Sequence, residues 1–382
     1  MPKRTTSTPR LSNLVVMLVT IVFCVSIAEI ALRIFTPYPV NGSSNKAADP
    51  DLGYRLSRNF PQADAAGFRN SASAGADVLA IGDSHTYGNN VGPEASWPVV
   101  LTRNSGLQVY NAGIGSYGIL AYHALLTSQF LPRARAAIIA LYPANDIGGG
   151  GSDGLIIADP SPFWQREASA LGLVWPAGTE KPHKEFEGYS LIERLKDNSA
   201  IIGSVKAVID YKRGMPPGEP FYEFPDGVQP VLVENVVSHY NDTNLKNPVV
   251  AIMLDNLKRL AATWSQQEGV RVGVMIVPAR ERVVYAYFEK QGRLGELAPD
   301  FVSRVHGLIK VEKRCMQIFS ACALPYREAL PEVLDAFETE LRAGRSIYPG
   351  NGSGHPLETG YASYAAAALA LLGDMGLAPV SR

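Results

Sequence analysis

A serine placed just beyond a buried strand is the residue of this chain whose position best suits nucleophilic chemistry. The segment Ile81-Gly82-Asp83-Ser84 closes an apolar run, and open α/β sheets bind their ligands beyond the carboxyl ends of the strands. Gly82 permits a tight exit from the strand, which leaves the Ser84 hydroxyl and backbone N–H facing a cleft. Because a Gly-Asp-Ser tripeptide also occurs in ordinary turns, Ser84 needs support from other parts of the chain.

Three further polar, turn-rich motifs follow along the chain. They occupy residues 111–118 (NAGIGSYG), 142–146 (YPAND) and 354–361 (GHPLETGY). An alcohol is a weak nucleophile unless a neighbouring base takes its proton, so Ser84 needs an imidazole. The chain has six histidines, and those outside any motif are expected to be ordinary surface or core residues, namely His123, His183, His239 and His306.

In this order the four motifs resemble those of the SGNH/GDSL hydrolases, most closely the bacterial membrane-anchored members related to polysaccharide O-acetyltransferases and deacetylases. The resemblance covers residues 76–147 and 249–375, and more loosely the N-terminal segment and the stretch Gly67-Phe68-Arg69. It implies a flavodoxin-like fold of three layers, α/β/α, around a parallel sheet. It also implies a serine esterase or O-acyltransferase that forms an acyl-serine and needs no cofactor or metal.

The resemblance assigns roles to individual residues. Ser84 is the nucleophile, and His355, in a loop just before the last helix, is its general base. The oxyanion of the tetrahedral intermediate is held by the Ser84 N–H, by a backbone N–H of the second motif, at Gly115 or Ser116, and by the Asn145 amide.

Other polar residues near these motifs are expected to border the substrate. Asp83, like Asp146, is typical of an acid that stabilises a turn, and His85 is expected to point away from the nucleophile. Arg280, with Glu281, follows another strand, where it suits an anionic substrate or a solvated loop. We include Asp83, His85 and Arg280 in the predicted substrate site.

Two positions depart from the family pattern. Ser116 stands where the second motif usually has glycine, and a backbone donor tolerates serine there if its φ stays negative. The acid expected two or three residues before the histidine is absent, because those positions hold Ser353 and Gly352. Asn351, Ser353, a main-chain carbonyl or a distant carboxylate remain as groups that orient the imidazole. The gap supports a second hypothesis, a catalytically weak or inactive carbohydrate-binding or assembly protein.

Apolar runs alternate with helix-like segments, as in a doubly wound α/β sheet. Buried strands are predicted at 76–82, 107–112, 136–142 and 270–277, and helices at 118–131, 249–267, most of 299–343, and 359–375. The domain is predicted to span 76–382, with an insertion at 148–245. Aromatic residues of that insertion suit sugar stacking or, as we expect, a small core; they are Trp164, Trp175, Phe221, Tyr222 and Phe224.

The N-terminal segment predicts where the protein works. Residues 1–13 form a basic leader without acids. The apolar run that follows is uninterrupted only from Leu14 to Ala28, a little short of the roughly 20 residues that span a bilayer, but Glu29 and Arg33 can pair near the interface, so a transmembrane anchor is predicted at 14–36. A basic leader stays inside, so the domain is expected on the extracytoplasmic, periplasmic side; cleavage after Ala28 is the alternative. Residues 37–75 are predicted to be a linker.

The bulk composition excludes some partners. Among 382 residues, 35 basic and 36 acidic side chains give a formal net charge of −1, which provides no basic surplus for a nucleic acid. The three cysteines match no zinc pattern, and Cys315 and Cys322 either pair or are buried thiols. The expected partners are therefore a carbohydrate or acyl-ester substrate and the membrane. A transferase would also need a membrane partner that delivers the acyl donor, since one anchor provides no pore.

Overall fold

The computed structural model describes residues 10–35, 46–49, 52–58, 60–71, 75–129, 131–147, 168–174, 221–229, 231–232, 248–350 and 353–377. The chain divides into two compact units. One comprises Met1–Pro39 and Leu191–Met215, and the other comprises Val40–Ser190 and Pro216–Arg382.

The described part of the first unit is helix α1, Arg10–Phe35. Its large described apolar side chains, such as Val16 and Val22, are at least half exposed. Among the residues listed above, no helix has both the length and the apolar character needed to cross a bilayer. The anchor at 14–36 therefore stays a prediction.

The second unit is an α/β structure. In chain order its strands and helices are β1 (Lys46–Asp49), β2 (Gly53–Leu56), β3 (Val78–Gly82), α2 (Ser84–Tyr87), α3 (Trp97–Ser105), β4 (Val109–Gly113), α4 (Ile119–Thr127), β5 (Ala136–Leu141), α5 (Pro143–Asp146), β6 (Phe221–Tyr222), β7 (Val231–Leu232), α6 (Pro248–Ser265), β8 (Arg271–Ile276), α7 (Arg280–Lys290), α8 (Pro299–Ala321), β9 (Tyr326–Glu328), α9 (Leu330–Arg342) and α10 (Glu358–Asp374).

A five-stranded parallel sheet forms the centre of this unit, which confirms the predicted α/β class. The strand order is β4-β3-β5-β8-β9, and every neighbouring pair is parallel. This is the 2-1-3-4-5 order of flavodoxin-type doubly wound sheets, in which the winding direction reverses between β3 and β5. The strands β3, β4 and β5 are buried along their whole length, as expected for strands covered on both faces.

Two sets of helices cover the sheet. Helices α3 and α9 both pack against α10, whereas α6 packs against α4 and α8. Because the strand–helix–strand crossovers of parallel sheets are right-handed, reversing the winding direction moves the connecting helices to the opposite face. In sheets of this order a crevice generally forms where the winding direction reverses, which here is at the carboxyl ends of β3 and β5, and two of the predicted motifs lie at that edge.

The residues predicted to be a linker have structure of their own. In the described part of 37–75, β1 and β2 form an antiparallel hairpin with Lys46 opposite Leu56. Leu52, Tyr54 and Leu56 are buried in the core of the second unit. Their alternation is a strand pattern, which the surrounding Pro, Asn, Ser and Gly residues obscure in the sequence.

The remaining structural predictions have mixed outcomes. Strand β9 and helices α3 and α7 were not predicted. Most of the predicted insertion, with Trp164 and Trp175, lies outside the described residues, but Tyr222 and Phe224 pack edge-on against Phe301 of α8. The described aromatics there therefore belong to a core. The cysteines are free thiols, and Cys315 is buried in α8.

Candidate active site

Ser84 is the first residue of the short helix α2, directly after β3. The Asp83 side chain caps this helix by accepting a hydrogen bond of 2.8 Å from the His85 N–H. A Cβ on Gly82 or on Gly113, at the ends of β3 and β4, would lie within 3.0 Å of Thr86 atoms. Glycine at both positions therefore lets the first turn of α2 rest on the strand ends, which brings Ser84 to the crevice.

His355 meets Ser84 across the crevice. The His355 Nε2 atom lies 2.6 Å from Ser84 Oγ, although the two residues are 271 positions apart in the sequence. Ser84 is 9% exposed, so a small group can still reach its hydroxyl. A neutral imidazole whose Nε2 is unprotonated can accept the hydroxyl proton at this distance.

The second ring nitrogen of His355 faces a hydroxyl and not the acid that the resemblance led us to expect. Its Nδ1 lies 3.3 Å from Ser353 Oγ. Asn90, which follows α2 with a φ of 70°, donates from Nδ2 to Ser353 Oγ at 3.1 Å and to the His355 carbonyl at 2.9 Å. A carboxylate only accepts, whereas a hydroxyl both donates and accepts. Ser353 Oγ also accepts a hydrogen bond of 3.3 Å from the His355 N–H, so with the Asn90 amide both of its lone pairs are used and its own hydrogen is the group left to face Nδ1.

Arg280 supports this loop and does not face a substrate, which corrects its predicted role. It is the first residue of α7, is 1% exposed, and donates to the Ser353 carbonyl at 3.2 Å and to the Gln229 carbonyl at 3.3 Å. Its guanidinium also lies over the Tyr348 ring, 5.2 Å from the centroid. The sequence predicts a solvated loop or an anion site there because it does not reveal that a helix begins soon after β8 and that the first residue of this helix is buried.

The His85 ring packs against the His355 ring and is also not positioned to touch a substrate. It is 1% exposed, and its ring lies 4.6 Å from the His355 ring and 4.3 Å from the Tyr142 ring. Burial lowers the pKa of His85 well below its usual value, and the neighbouring charge of His355 lowers it further. His85 is thus a neutral ring that packs against the His355 imidazole and restricts its plane.

Asp83 and Asn145 lie side by side under Ser84. Asn145 Nδ2 donates to Asp83 Oδ2 at 3.1 Å, and Ser84 Oγ lies 3.5 Å from the same oxygen. Burial raises the pKa of Asp83, against the opposing effects of its hydrogen bonds and of His355. Asp83 is fully buried, so its predicted substrate contact is wrong; it holds the Asn145 amide beside the nucleophile, and the second amide hydrogen remains available.

The second motif forms a tight turn next to Ser84. The Tyr117 N–H donates to the Ile114 carbonyl at 3.1 Å, so Gly115 and Ser116 are the two central residues. The condition set for serine at this position, a negative φ, is not met: the φ of Ser116 is 75°, the value that a type II turn requires at this position. A Cβ on Gly115 would lie 3.6 Å from the Ser84 Cβ, which places the turn against the nucleophile.

Two backbone donors in this region have no acceptor among the residues that the structure describes. Within the described part of the chain, the N–H groups of Ser84 and Ser116 donate to no other group. Unpaired N–H groups next to a nucleophile are what an oxyanion requires. Ser84, His355, Asn145 and the Gly115–Ser116 turn are therefore brought together, whereas Asp83, His85 and Arg280 lie behind them.

Some residues of the site were not found from the sequence. Asn90 and Lys46 lie outside the four motifs. Folding brings Asn90 to Ser353 and Lys46 to Gly115, which are distant in the sequence. Arg69, in the loosely similar stretch, donates to the carbonyls of Tyr87, Gly88 and Val91 and so anchors the end of α2. Among the described residues, no group of three His, Cys, Asp or Glu side chains is placed to hold a metal ion.

Comparison with known proteins gives few similarities. No family model matches the chain, and no curated protein matches it. A solved structure of a carbohydrate acetylesterase family member from Sinorhizobium meliloti aligns with 78% of this chain and 97% of its own, at 13% identity and a TM-score of 0.31. A second solved structure aligns with 80% of this chain and all of its own, at 13% identity and a TM-score of 0.33.

Proposed function

We propose that this chain is a serine esterase or O-acyltransferase of the SGNH/GDSL type with a three-layer α/β/α fold. The observation that carries the proposal is the 2.6 Å contact between Ser84 Oγ and His355 Nε2. It is supported by unpaired N–H groups beside Ser84 and by the Asn145 amide, which shares an oxygen of Asp83 with the nucleophile. A nucleophile, a base and oxyanion donors around one point are the requirements of acyl transfer.

The proposed reaction has two halves. Ser84 Oγ attacks the carbonyl carbon of an ester while His355 Nε2 takes the hydroxyl proton, and the carbonyl oxygen becomes an oxyanion. The Ser84 and Ser116 N–H groups and the Asn145 amide hold that oxyanion. His355 then gives its proton to the departing alcohol, leaving acyl-Ser84. Water or a sugar hydroxyl then attacks the acyl carbon and loses its proton to His355; when the second tetrahedral intermediate breaks its bond to Ser84 Oγ, His355 returns that proton to Oγ and the free serine is restored.

The proposed substrate is a short acyl ester, acetyl in the first instance, of a carbohydrate outside the cytoplasm. A short acyl group suits a nucleophile that is largely buried. The extracytoplasmic location rests on the basic leader at 1–13 and the apolar segment at 14–36. A transferase with this architecture would receive its acyl donor from a membrane partner.

Ester hydrolysis by the purified full-length chain tests the proposal. With p-nitrophenyl acetate as the probe, we expect turnover that Ser84→Ala reduces by about 10³-fold or more, since the nucleophile is lost. Ser265→Ala, which removes an exposed hydroxyl at the end of α6, is the matched control and should retain wild-type turnover. Equal turnover of the wild type and Ser84→Ala would refute the proposal.

A specific observation favours a second candidate, a carbohydrate-binding or assembly protein with little activity. Ser353, not a carboxylate, faces His355 Nδ1, and its oxygen already receives the Asn90 amide. If Ser353 donates its own hydrogen to Nδ1, then Nε2 carries the other proton and cannot act as a base. Carbohydrate binding that is unchanged in Ser84→Ala, without any ester turnover, would favour this candidate.

A further inference from the structure

The N-terminal hairpin reaches the second motif at one atom. The carbonyl oxygen of Gly115 accepts a hydrogen bond of 2.5 Å from Lys46 Nζ and one of 3.0 Å from the Tyr54 hydroxyl. The hairpin is fixed there, because the Tyr117 hydroxyl donates back to the Tyr54 carbonyl at 2.5 Å. Two donors on one carbonyl therefore hold the peptide between Gly115 and Ser116 from the hairpin side.

This peptide is the one that distinguishes two kinds of turn. Type I and type II turns differ by a flip of the central peptide, and type II requires a positive φ at the third residue, where glycine is usual. Here that residue is Ser116, with a φ of 75°, a conformation that side chains other than glycine disfavour. The turn adopts the less favourable form for its sequence, so something outside it must stabilise that form.

A planar trans peptide points its C=O and N–H in opposite directions. With the Gly115 oxygen held toward Lys46 and Tyr54, the Ser116 N–H is directed to the other side of the peptide. That N–H has no acceptor among the described residues, and the turn lies against Ser84. Flipping the peptide would turn the N–H toward the hairpin and remove it from the reacting centre.

Lys46 is an unusual residue to find at such a position. It is 9% exposed, and burial lowers the pKa of its ammonium to about 7. The titratable groups around it are the hydroxyls of Tyr54, whose ring lies 4.0 Å from Nζ, and of Tyr117. The carboxylate of its own hairpin, Asp49, pairs with Arg55. No counter-ion among the described residues compensates for burying this amine, so packing alone does not account for it.

We infer that Lys46, with Tyr54, is a positioning residue for the oxyanion hole, holding the Gly115 carbonyl so that the strained Ser116 N–H faces the developing oxyanion. In its protonated form Lys46 also polarises the peptide, which strengthens the Ser116 N–H as a donor. The inference rests on the proposed acyl-transfer function and adds to it a residue outside the motifs.

Substitution of Lys46 in the full-length chain tests the inference. For Lys46→Met we expect kcat for p-nitrophenyl acetate to fall about tenfold, less than the loss of a direct oxyanion donor, with KM within about twofold. Lys46→Arg keeps a charged donor and should stay within about threefold of the wild type. Adding Ser116→Gly to Lys46→Met should recover part of the lost kcat, because glycine adopts the positive φ without help from the hydrogen bonds to the Gly115 carbonyl.

The controls distinguish a failure of this inference from a failure of the proposed function on which it rests. Lys290→Met removes an exposed lysine of α7 and should leave kcat unchanged. A folded Lys46→Met variant with wild-type kcat, or no recovery on adding Ser116→Gly, would overturn the inference. If Lys46→Met does not fold, Tyr54→Phe decides: we expect a severalfold lower kcat at unchanged KM, and an unchanged kcat would overturn the inference. Activity in Ser84→Ala equal to that of the wild type would instead refute the proposed function itself.

Discussion

The two sides of Ser84 are built from different chemistry. The base flank, formed by Asn90, Arg280, Ser353 and His355, orients the imidazole with a neutral hydroxyl and an amide. The oxyanion flank, formed by Lys46, Tyr54, Gly115, Ser116 and Asn145, has a buried amine on a backbone carbonyl. On the base flank, the charged Arg280 contacts carbonyls and not the ring. The amine of Lys46 thus lies on the side of Ser84 opposite to His355, where the acid is absent.

In terms of the proposed function, this difference offers a way for acyl transfer to proceed without a carboxylate at the imidazole. A carboxylate at the histidine fixes the tautomer and stabilises the imidazolium in the transition state. Stronger donors at the oxyanion stabilise the same transition state at its negative end. In the proposed mechanism, therefore, more of the catalysis depends on the oxyanion flank than on the base flank, and variants on the two flanks should differ accordingly.

The largest effect is expected on the oxyanion flank, at Asn145. Asn145→Ala removes the amide that Asp83 holds beside Ser84, and loss of one oxyanion donor typically lowers kcat by about 10²–10³-fold. The measurement is kcat for p-nitrophenyl acetate, with KM expected to change little. Asn104→Ala, an exposed asparagine of α3, is the control. A loss below threefold for Asn145→Ala would mean that the amide is a structural turn group only.

A gain is expected on the base flank. Ser353→Asp places a carboxylate at His355 Nδ1, where it can only accept, and the Asn90 amide remains to stabilise its charge. The Nδ1–H tautomer is then fixed, so we expect kcat to rise by about tenfold. Ser353→Asn has nearly the same shape without the charge and should give no such rise. Equal kcat in the two variants would show that the missing acid does not limit this site.

The smallest effect concerns stability and pH. The pKa of Lys46 is about 7 in the folded chain and 10.5 as an ordinary lysine. Between these values the unfolded state binds more protons, so the free energy of unfolding rises with pH; below about pH 7 the penalty of the buried charge is fully present. The Tm of the wild type relative to Lys46→Met should rise by about 2–4 °C from pH 6.5 to pH 9. A difference in Tm that does not change with pH would show that folding does not lower the pKa of Lys46.

The parts of the molecule that local sequence patterns determine were predictable. The apolar runs of β3, β4, β5 and β8 indicated a parallel sheet, because strands buried on both faces need no polar alternation. Ser84, Asn145 and His355 were found because each lies in a turn-rich motif at an edge of that sheet. The order of the motifs then indicated that they meet at the reversal of the winding direction.

The parts that depend on contacts between distant segments were not predictable. Lys46 and Gly115 are 69 residues apart, and Asn90 and Ser353 are 263 apart; no local pattern links either pair. The positive φ of Ser116 depends on the hydrogen bonds from Lys46 and Tyr54 to the Gly115 carbonyl. It does not follow from the turn sequence, because a type II turn favours glycine at this position. Arg280 and His85 were assigned to the substrate because the sequence does not reveal that the elements after their strands bury them.

Covalent labelling by a fluorophosphonate tests the central claim most directly, because this reagent reacts with serines that a base has activated. The full-length chain, incubated with the probe, is analysed by intact mass and by peptide mapping. We predict a single adduct on Ser84, formed much more slowly in His355→Ala. An unlabelled Ser84, or labelling of the folded His355→Ala variant at the wild-type rate, would contradict the claim that His355 activates Ser84.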